Sequence, residues 1–195
     1  MIVLWFIFAF LMGSLPIALW LGRIFLKKDI REYGDGNPGT TNVYRASGRN
    51  PMWFAFPFAL EVSKAAVPVG LAHQLFGIDG WSIVAIALAP LLGHAFSPFM
   101  GGRGGKAVAA GFGALIGLTL AYALITPIIL TPLAIFVKPS GWALIITMTL
   151  TLILAVILTF PFTWTATLIG MILIFIYTHR EDLRERPRLK TNGKR

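Results

Sequence analysis

The sequence predicts an all-α integral membrane protein with seven transmembrane helices, its N-terminus outside and its C-terminus in the cytoplasm. Three observations carry this expectation. Of the 195 residues, 56% are hydrophobic, and they fall in runs long enough for the roughly 20-residue helices that cross a bilayer. Sixteen of the seventeen Lys and Arg residues lie in four groups outside those runs: six at 23–49, two at 103 and 106, one at 138 and seven at 180–195. Cations mark cytoplasmic connections, so the four groups share one side only if an even number of crossings separates each pair.

The elements follow in order. Residues 2–21 form the first span, interrupted by Gly13-Ser14-Leu15-Pro16; with no basic n-region and no convincing cleavage site it reads as a retained helix. Residues 27–51 are the longest polar segment, rich in Gly, Asn and Thr. The second span covers 52–76 and the third 81–96, joined by a connection without Lys or Arg. The runs 107–137 and 141–177 are each too long for one ordinary span. The charge rule splits both, with breaks expected near 120–127 and 159–162. The fourth and fifth helices are then short, about 15 residues each against the usual 17–25. The whole chain, 1–195, reads as one domain, with 179–195 as a basic cytoplasmic tail.

Three polar clusters fall on the cytoplasmic face. The first runs from Gly34 through Asp35, Asn37, Gly39, Thr41 and Asn42 to Arg45, whose guanidinium can grip a phosphate bidentately. The second is Gly101-Gly102-Arg103-Gly104-Gly105-Lys106, ahead of a helix that small residues from Ala107 begin. Glycines let backbone N–H groups turn towards one point, and a helix N-terminus adds positive charge; the pattern reads as an anion seat. It is not a Walker loop, which needs Gly at Met100 and a hydroxyl at Ala107. Gly102-x-Gly104-x-x-Ala107 lacks the βαβ unit of a dinucleotide fingerprint. The third cluster is His179-Arg180-Glu181-Asp182, where a helix C-terminus favours a protonated histidine.

Glu61 and Lys64 stand one helical turn apart and can pair, about 13–18 Å into their helix at 1.5 Å per residue. Ionisable groups at that depth are functional by default; the alternative is a pair that pins helices together. Ser14 reads as helix packing, since no His/Asp partner is evident. His94 is a candidate base, phosphate ligand or cap, and His73 an interfacial residue. Three scattered histidines and no cysteine give no metal spacing. The net charge of +9 lies beside apolar runs, so membrane lipids and an anionic substrate are the expected partners, with no nucleic acid.

Taken together, Gly13-Ser14-x-Pro16, the Gly34 to Arg45 run, Glu61-x-x-Lys64, Gly93-His94-x-Phe96, Gly104-Gly105-Lys106 and His179-Arg180 resemble the bacterial acyl-phosphate:glycerol-3-phosphate acyltransferase family. The resemblance covers nearly the whole chain, and Asn37-x-Gly39-x-Thr41-Asn42-x-x-Arg45 is its most specific part. It implies a seven-helix enzyme of the bacterial inner membrane, without cofactor or metal; a monomer is the expected state. Such an enzyme transfers a fatty acyl group from acyl phosphate to the 1-hydroxyl of glycerol 3-phosphate, giving lysophosphatidic acid and phosphate. The resemblance implies that Arg45, Lys106 and His179 hold phosphate, with the proton accepted by the acyl phosphate's own oxygens or by His94. Ser14, Asp35, Asn37, Gly39, Thr41, Asn42, Gly102, Arg103, Gly104, Gly105 and Asp182 complete the expected substrate-binding set.

The chain departs from the family pattern at Asp35, usually serine, and at Asp182, usually asparagine. Glu61 and Arg103 are milder exchanges. A carboxylate facing a phosphate 4 Å away at an effective dielectric of 20 is repelled by about 4 kcal/mol, so another acceptor, or a non-catalytic lipid-binding protein, stays open at this point. An organic-anion or phosphate transporter is a further alternative. The nearly bare outer connections speak against alternating access.

Overall fold

A computed structural model of the chain describes residues 1–189; the last part of the expected basic tail, 190–195, lies outside the described residues. Helices dominate. Four helical stretches are long and apolar enough to cross a membrane: Ile2–Leu26, Met52–Leu75, Gly80–Met100 and Ser140–Ile157. Three shorter apolar helices, Val108–Leu118, Leu120–Phe136 and Phe162–Thr178, complete the bundle. Within these stretches the elements are α1 (Ile2–Ser14), α2 (Ile17–Leu21), α4 (Met52–Gly70), α5 (Gly80–Ala95), α6 (Val108–Leu118), α7 (Leu120–Phe136), α8 (Ser140–Ile157) and α9 (Phe162–Thr178). Short helices α3 (Thr40–Ala46) and α10 (Arg180–Arg184) lie in polar segments, and β1 (Val137–Lys138) pairs antiparallel with β2 (Arg188–Leu189).

The interior is apolar, built from residues such as Ile83, Ile86, Leu91, Leu115, Met148, Leu168 and Phe175. Leu4, Ile7, Leu11, Leu124, Ile128 and Leu173 face outward and exposed. A patch this extensive would drive association in water; against lipid tails it is the matched surface.

One expected break moves. The first long run divides at Thr119, not at 120–127, which leaves α6 with 11 residues and α7 with 17. Thr119 is extended (φ −161°) and its hydroxyl accepts from the Ala121 N–H, starting a new helix. Pro127 and Pro132 sit inside α7 instead of ending it. A proline removes one N–H, and helices in apolar surroundings tolerate this where neighbours and hydroxyls compensate the freed groups. The second long run breaks at 158–161, as expected.

The interruption at Leu15-Pro16 is the feature that organises the polar interior. Breaking a helix orphans backbone groups, and here side chains from elsewhere satisfy them. The Ala18 N–H donates to Glu61 Oε1 (3.0 Å), Lys64 Nζ donates to the Leu15 carbonyl (2.6 Å) and Ser97 Oγ donates to the Ser14 carbonyl (2.6 Å). Glu61 and Lys64 pair at 2.6 Å and are almost completely buried. The pair therefore holds a broken helix together as well as joining two helices.

Packing of α1 on α5 depends on two glycines. A methyl at Gly93 would overlap the Phe10 carbonyl oxygen, and one at Gly13 would overlap the Pro90 backbone. Backbone cannot swing aside as a side chain can, so Gly93→Ala is expected to cost about 1–3 kcal/mol. A thermal-unfolding scan in detergent checks this; an unchanged midpoint would mean that the two helices separate freely.

Candidate active site

The polar segment before α3, the loop before α6 and the end of α9 converge at one end of the bundle. Around them lie three adjoining cavities. The central one, about 480 Å³, is lined by Asp35, Gly39, Thr40, Thr41, Arg45, Glu61, His94, Lys106 and His179, with the start of α6 at 107–109. An apolar cavity of about 200 Å³ shares Phe58, Val108, Leu130 and Leu144 with it and continues to Met148 and Phe175. A third, about 360 Å³, shares Asp35, Asn37 and Lys106 and is lined further by Gly102, Arg103, Gly104, Gly105 and Arg180.

Arg45 owes its position to two neighbours. Its Nη1 donates to Asn42 Oδ1 at 2.6 Å, and Gly34, at φ +60°, leaves to the guanidinium the space that a side chain would take. Asn42 is buried and donates in turn to the Asn37 carbonyl (2.8 Å) and Asp35 Oδ1 (3.1 Å). Asn37 Oδ1 accepts from the Lys106 N–H at 3.0 Å, tying the first cluster to the glycine loop. Asn37 and Asn42 are thus positioning residues that hold the two cations.

The glycine loop is not the anion nest that its composition predicts. Its N–H groups are spent on carbonyls: Gly101 on Pro98, Gly102 on Ser97, Arg103 on Met100, Gly104 on Ala95 and Gly105 on His94. The glycines serve close approach instead, since a methyl at Gly104 would overlap the His94 carbonyl. The anion-seeking backbone lies one step on. Ala107 adopts φ +62° and opens α6, whose first turn carries no side-chain cap. Ala107, Val108 and Ala109 border the central cavity, so the positive end of the helix dipole faces it.

Lys106 Nζ lies 2.9 Å from Asp35 Oδ2 and 3.0 Å from Asp182 Oδ2, and Asp35 Oδ1 is 3.8 Å from Arg45 Nη1. Burial works against the Lys106 ammonium, but its hydrogen bonds to the two carboxylates outweigh burial and hold its pKa above the ordinary lysine value. Burial likewise works to raise Asp35, and the Lys106 hydrogen bond and charge hold it below the usual carboxylate range.

His179 differs from expectation. Burial, reinforced by the Lys106 charge, pushes its pKa below the ordinary histidine value, against the protonated form that a helix C-terminus favours. Nδ1 lies 3.1 Å from the Phe175 carbonyl, a partner that requires the proton on Nδ1 and leaves Nε2 as an acceptor. His94 lies in the network at the helix break. Its Nδ1 sits 3.0 Å from Lys64 Nζ and 3.4 Å from Glu61 Oε2.

Ser14 lies apart from the cavities: it is buried, and its hydroxyl donates to the Leu11 carbonyl. His73 packs edge-on against Trp164, with Nδ1 3.2 Å from the Ile78 carbonyl. Among the described residues no cluster of three His, Cys, Asp or Glu could hold a metal. Sequence reasoning missed Thr178, whose hydroxyl donates to the Lys106 carbonyl (3.2 Å), and Gly141, which lies against Asp182 and His179. Neither carries a local signal, because each matters only through a partner distant in the chain.

A family model described as glycerol-3-phosphate acyltransferase matches residues 3–187. The glycerol-3-phosphate acyltransferase of Streptococcus sanguinis (strain SK36) is 41% identical over 116 residues, 60% of this chain and 52% of that protein. The glycerol-3-phosphate acyltransferase of Pseudoalteromonas translucida (strain TAC 125) is 44% identical over 124 residues, 63% of this chain and 60% of that protein. The chain spans about half the length of the curated relatives it matches first. Over 94% of this chain and 90% of the other, the structure is similar to the crystal structure of PlsY (YgiH), an integral membrane glycerol 3-phosphate acyltransferase, in its glycerol 3-phosphate form, with a TM-score of 0.84 and 29% identity. The lysophosphatidic acid form of that protein gives 0.83 and 28%. The architecture is that of an all-α, multi-pass integral membrane protein.

Proposed function

The chain belongs to the glycerol-3-phosphate acyltransferase family, and from that premise we propose that it transfers a fatty acyl group from acyl phosphate to the 1-hydroxyl of glycerol 3-phosphate. The products are lysophosphatidic acid and phosphate. The observation that carries the reading is the continuity of the apolar cavity with a central cavity holding Arg45, Lys106 and an uncapped helix start. That combination fits an anion on a long apolar tail. The second polar cavity, with Arg103 and Arg180, suits the phosphate of a smaller co-substrate.

The residues divide the work accordingly. Acyl phosphate is an activated anhydride, so the protein chiefly aligns the two reactants and stabilises developing negative charge. The tail lies between α6, α7, α8 and α9; its phosphate and carbonyl meet Arg45, Lys106 and the first turn of α6, with Gly39 and Thr41 alongside. His179 Nε2, an acceptor, orients the acceptor hydroxyl. The hydroxyl oxygen forms the ester bond to the acyl carbon, the carbon–oxygen bond to phosphate breaks, and the hydroxyl proton leaves on the phosphate. The departing phosphate, whose oxygens gain negative charge as its bond to the acyl carbon breaks, is the natural proton acceptor.

The same reading sets the topology. Seven crossings place the four basic groups on the cytoplasmic face of a bacterial inner membrane, with the N-terminus outside and the whole chain acting as one domain and one monomer. The contacts of Asn37 and Asp35 with Lys106, of Lys106 with Asp182 and of β1 with β2 gather those segments at one end of the bundle.

The test is phosphate release by protein purified in detergent, with palmitoyl phosphate as donor, with and without glycerol 3-phosphate. The expected result is acceptor-dependent release with lysophosphatidic acid identified by mass spectrometry. Folded protein that releases no phosphate in an acceptor-dependent way would overturn the reading.

A further inference from the structure

Lys106 stands on the partition between the two polar cavities, where an ammonium would be most useful to a phosphate. Yet its hydrogen bonds go to Asp35 and to both oxygens of Asp182. Asp35 also stands beside Arg45. Two carboxylates and two cations cancel. A site meant for phosphates is therefore formally neutral at its centre.

We infer that Asp35 and Asp182 are specificity-determining residues for phosphate: internal anions that occupy Lys106 until a substrate phosphoryl group displaces at least one of them. The inference rests on the proposed reaction and adds to it that phosphate binding here is an exchange. A ligand gains the Lys106 contact only by breaking an existing charge-assisted bond, and any carboxylate left in place repels it. Affinity is thereby set by how many negative charges the ligand brings and how many hydrogen bonds its oxygens replace. Weak monoanions gain little from the exchange. A dianionic phosphoryl group with three oxygens gains most, and inorganic phosphate, the product, leaves readily because the carboxylates return.

The alternative role for the same residues is scaffolding, in which they hold Lys106 in place for the substrate. The two roles predict opposite signs. Asp35→Asn and Asp182→Asn remove charge while keeping shape, and Asn at 35 retains the oxygen that accepts from Asn42 Nδ2. Exchange predicts that each variant lowers KM for at least one phosphate substrate, and the inhibition constant for inorganic phosphate, about tenfold, less than the repulsion of a pair about 4 Å apart implies, because solvent at the half-exposed Asp35 screens the charge. The double variant falls further. An unchanged or raised KM and inhibition constant would overturn the inference.

Thermal stabilisation of wild type and variants by inorganic phosphate reads the same seat without turnover, because a ligand at free concentration c that binds only the folded state raises stability by RT ln(1 + c/Kd). Exchange predicts that the variants reach a given rise in unfolding midpoint at about tenfold lower phosphate than wild type; equal or higher concentrations would overturn it. If the wild type shows no acceptor-dependent acyl transfer, the proposed reaction fails, while this phosphate titration still decides the exchange.

Discussion

Arg45→Ala is expected to lower kcat/KM by about 100- to 1,000-fold, the range seen when one preorganised donor to developing negative charge is removed. Arg45 borders the central cavity, and its hydrogen-bonding partner there is the neutral amide of Asn42, so its charge is less committed than that of Lys106. Truncation also leaves Gly34 facing an empty space where the guanidinium lay, without disturbing the core. Arg45→Lys is expected to recover only part of the loss, because an ammonium lacks the planar fork that grips two phosphate oxygens. Steady-state rates with each phosphate varied in turn check this. Full activity in Arg45→Ala would remove Arg45 from the site. Equal activity in Arg45→Lys and wild type would reduce its role to bulk charge.

The largest stability effect is expected from Lys64→Met, which leaves Glu61 buried without its cation and takes the donor from the Leu15 carbonyl. Breaking a buried pair on one side costs about 3–5 kcal/mol. Replacing both members with apolar residues often restores stability in ordinary buried pairs. Here it is expected to fail, since Glu61→Leu with Lys64→Met would orphan both the Leu15 carbonyl and the Ala18 N–H at the helix break. Thermal midpoints of the two single variants and the double decide the matter. A double variant as stable as wild type would show that the pair merely joins α4 to its neighbours. His94 shares this network through Lys64 and Glu61, so its ring nitrogen shifts by NMR should change in Lys64→Met.

The membrane class and most helix boundaries were legible because they follow from one-dimensional physics. Apolar run length fixes what can cross a bilayer, and the break at Pro16 and the turn near Pro161 are written in residues that cannot continue a helix. The same rule misled at Pro127, where packing lets α7 run on, and overlooked Thr119, whose cap is a local hydroxyl bond. Arg45, Lys106, His94 and His179 were legible as candidates because each stands in a polar cluster or at the end of a span, and because those stretches resemble the family's motifs.

The sequence by itself determined the membrane-embedded helical class, the clusters that carry charge and the i, i+3 pairing of Glu61 with Lys64. Tertiary structure alone decided what those clusters do. Loop N–H groups that composition offered to an anion are consumed by carbonyls of residues 94–100. His94 meets the Lys64 ammonium and the Glu61 carboxylate, whereas His179 meets the Phe175 carbonyl. Asp35, Lys106 and Asp182, spread over nearly 150 positions, become one ion cluster. Hydrogen bonding and charge act over a few ångströms in space, and separation along the chain does not encode that distance.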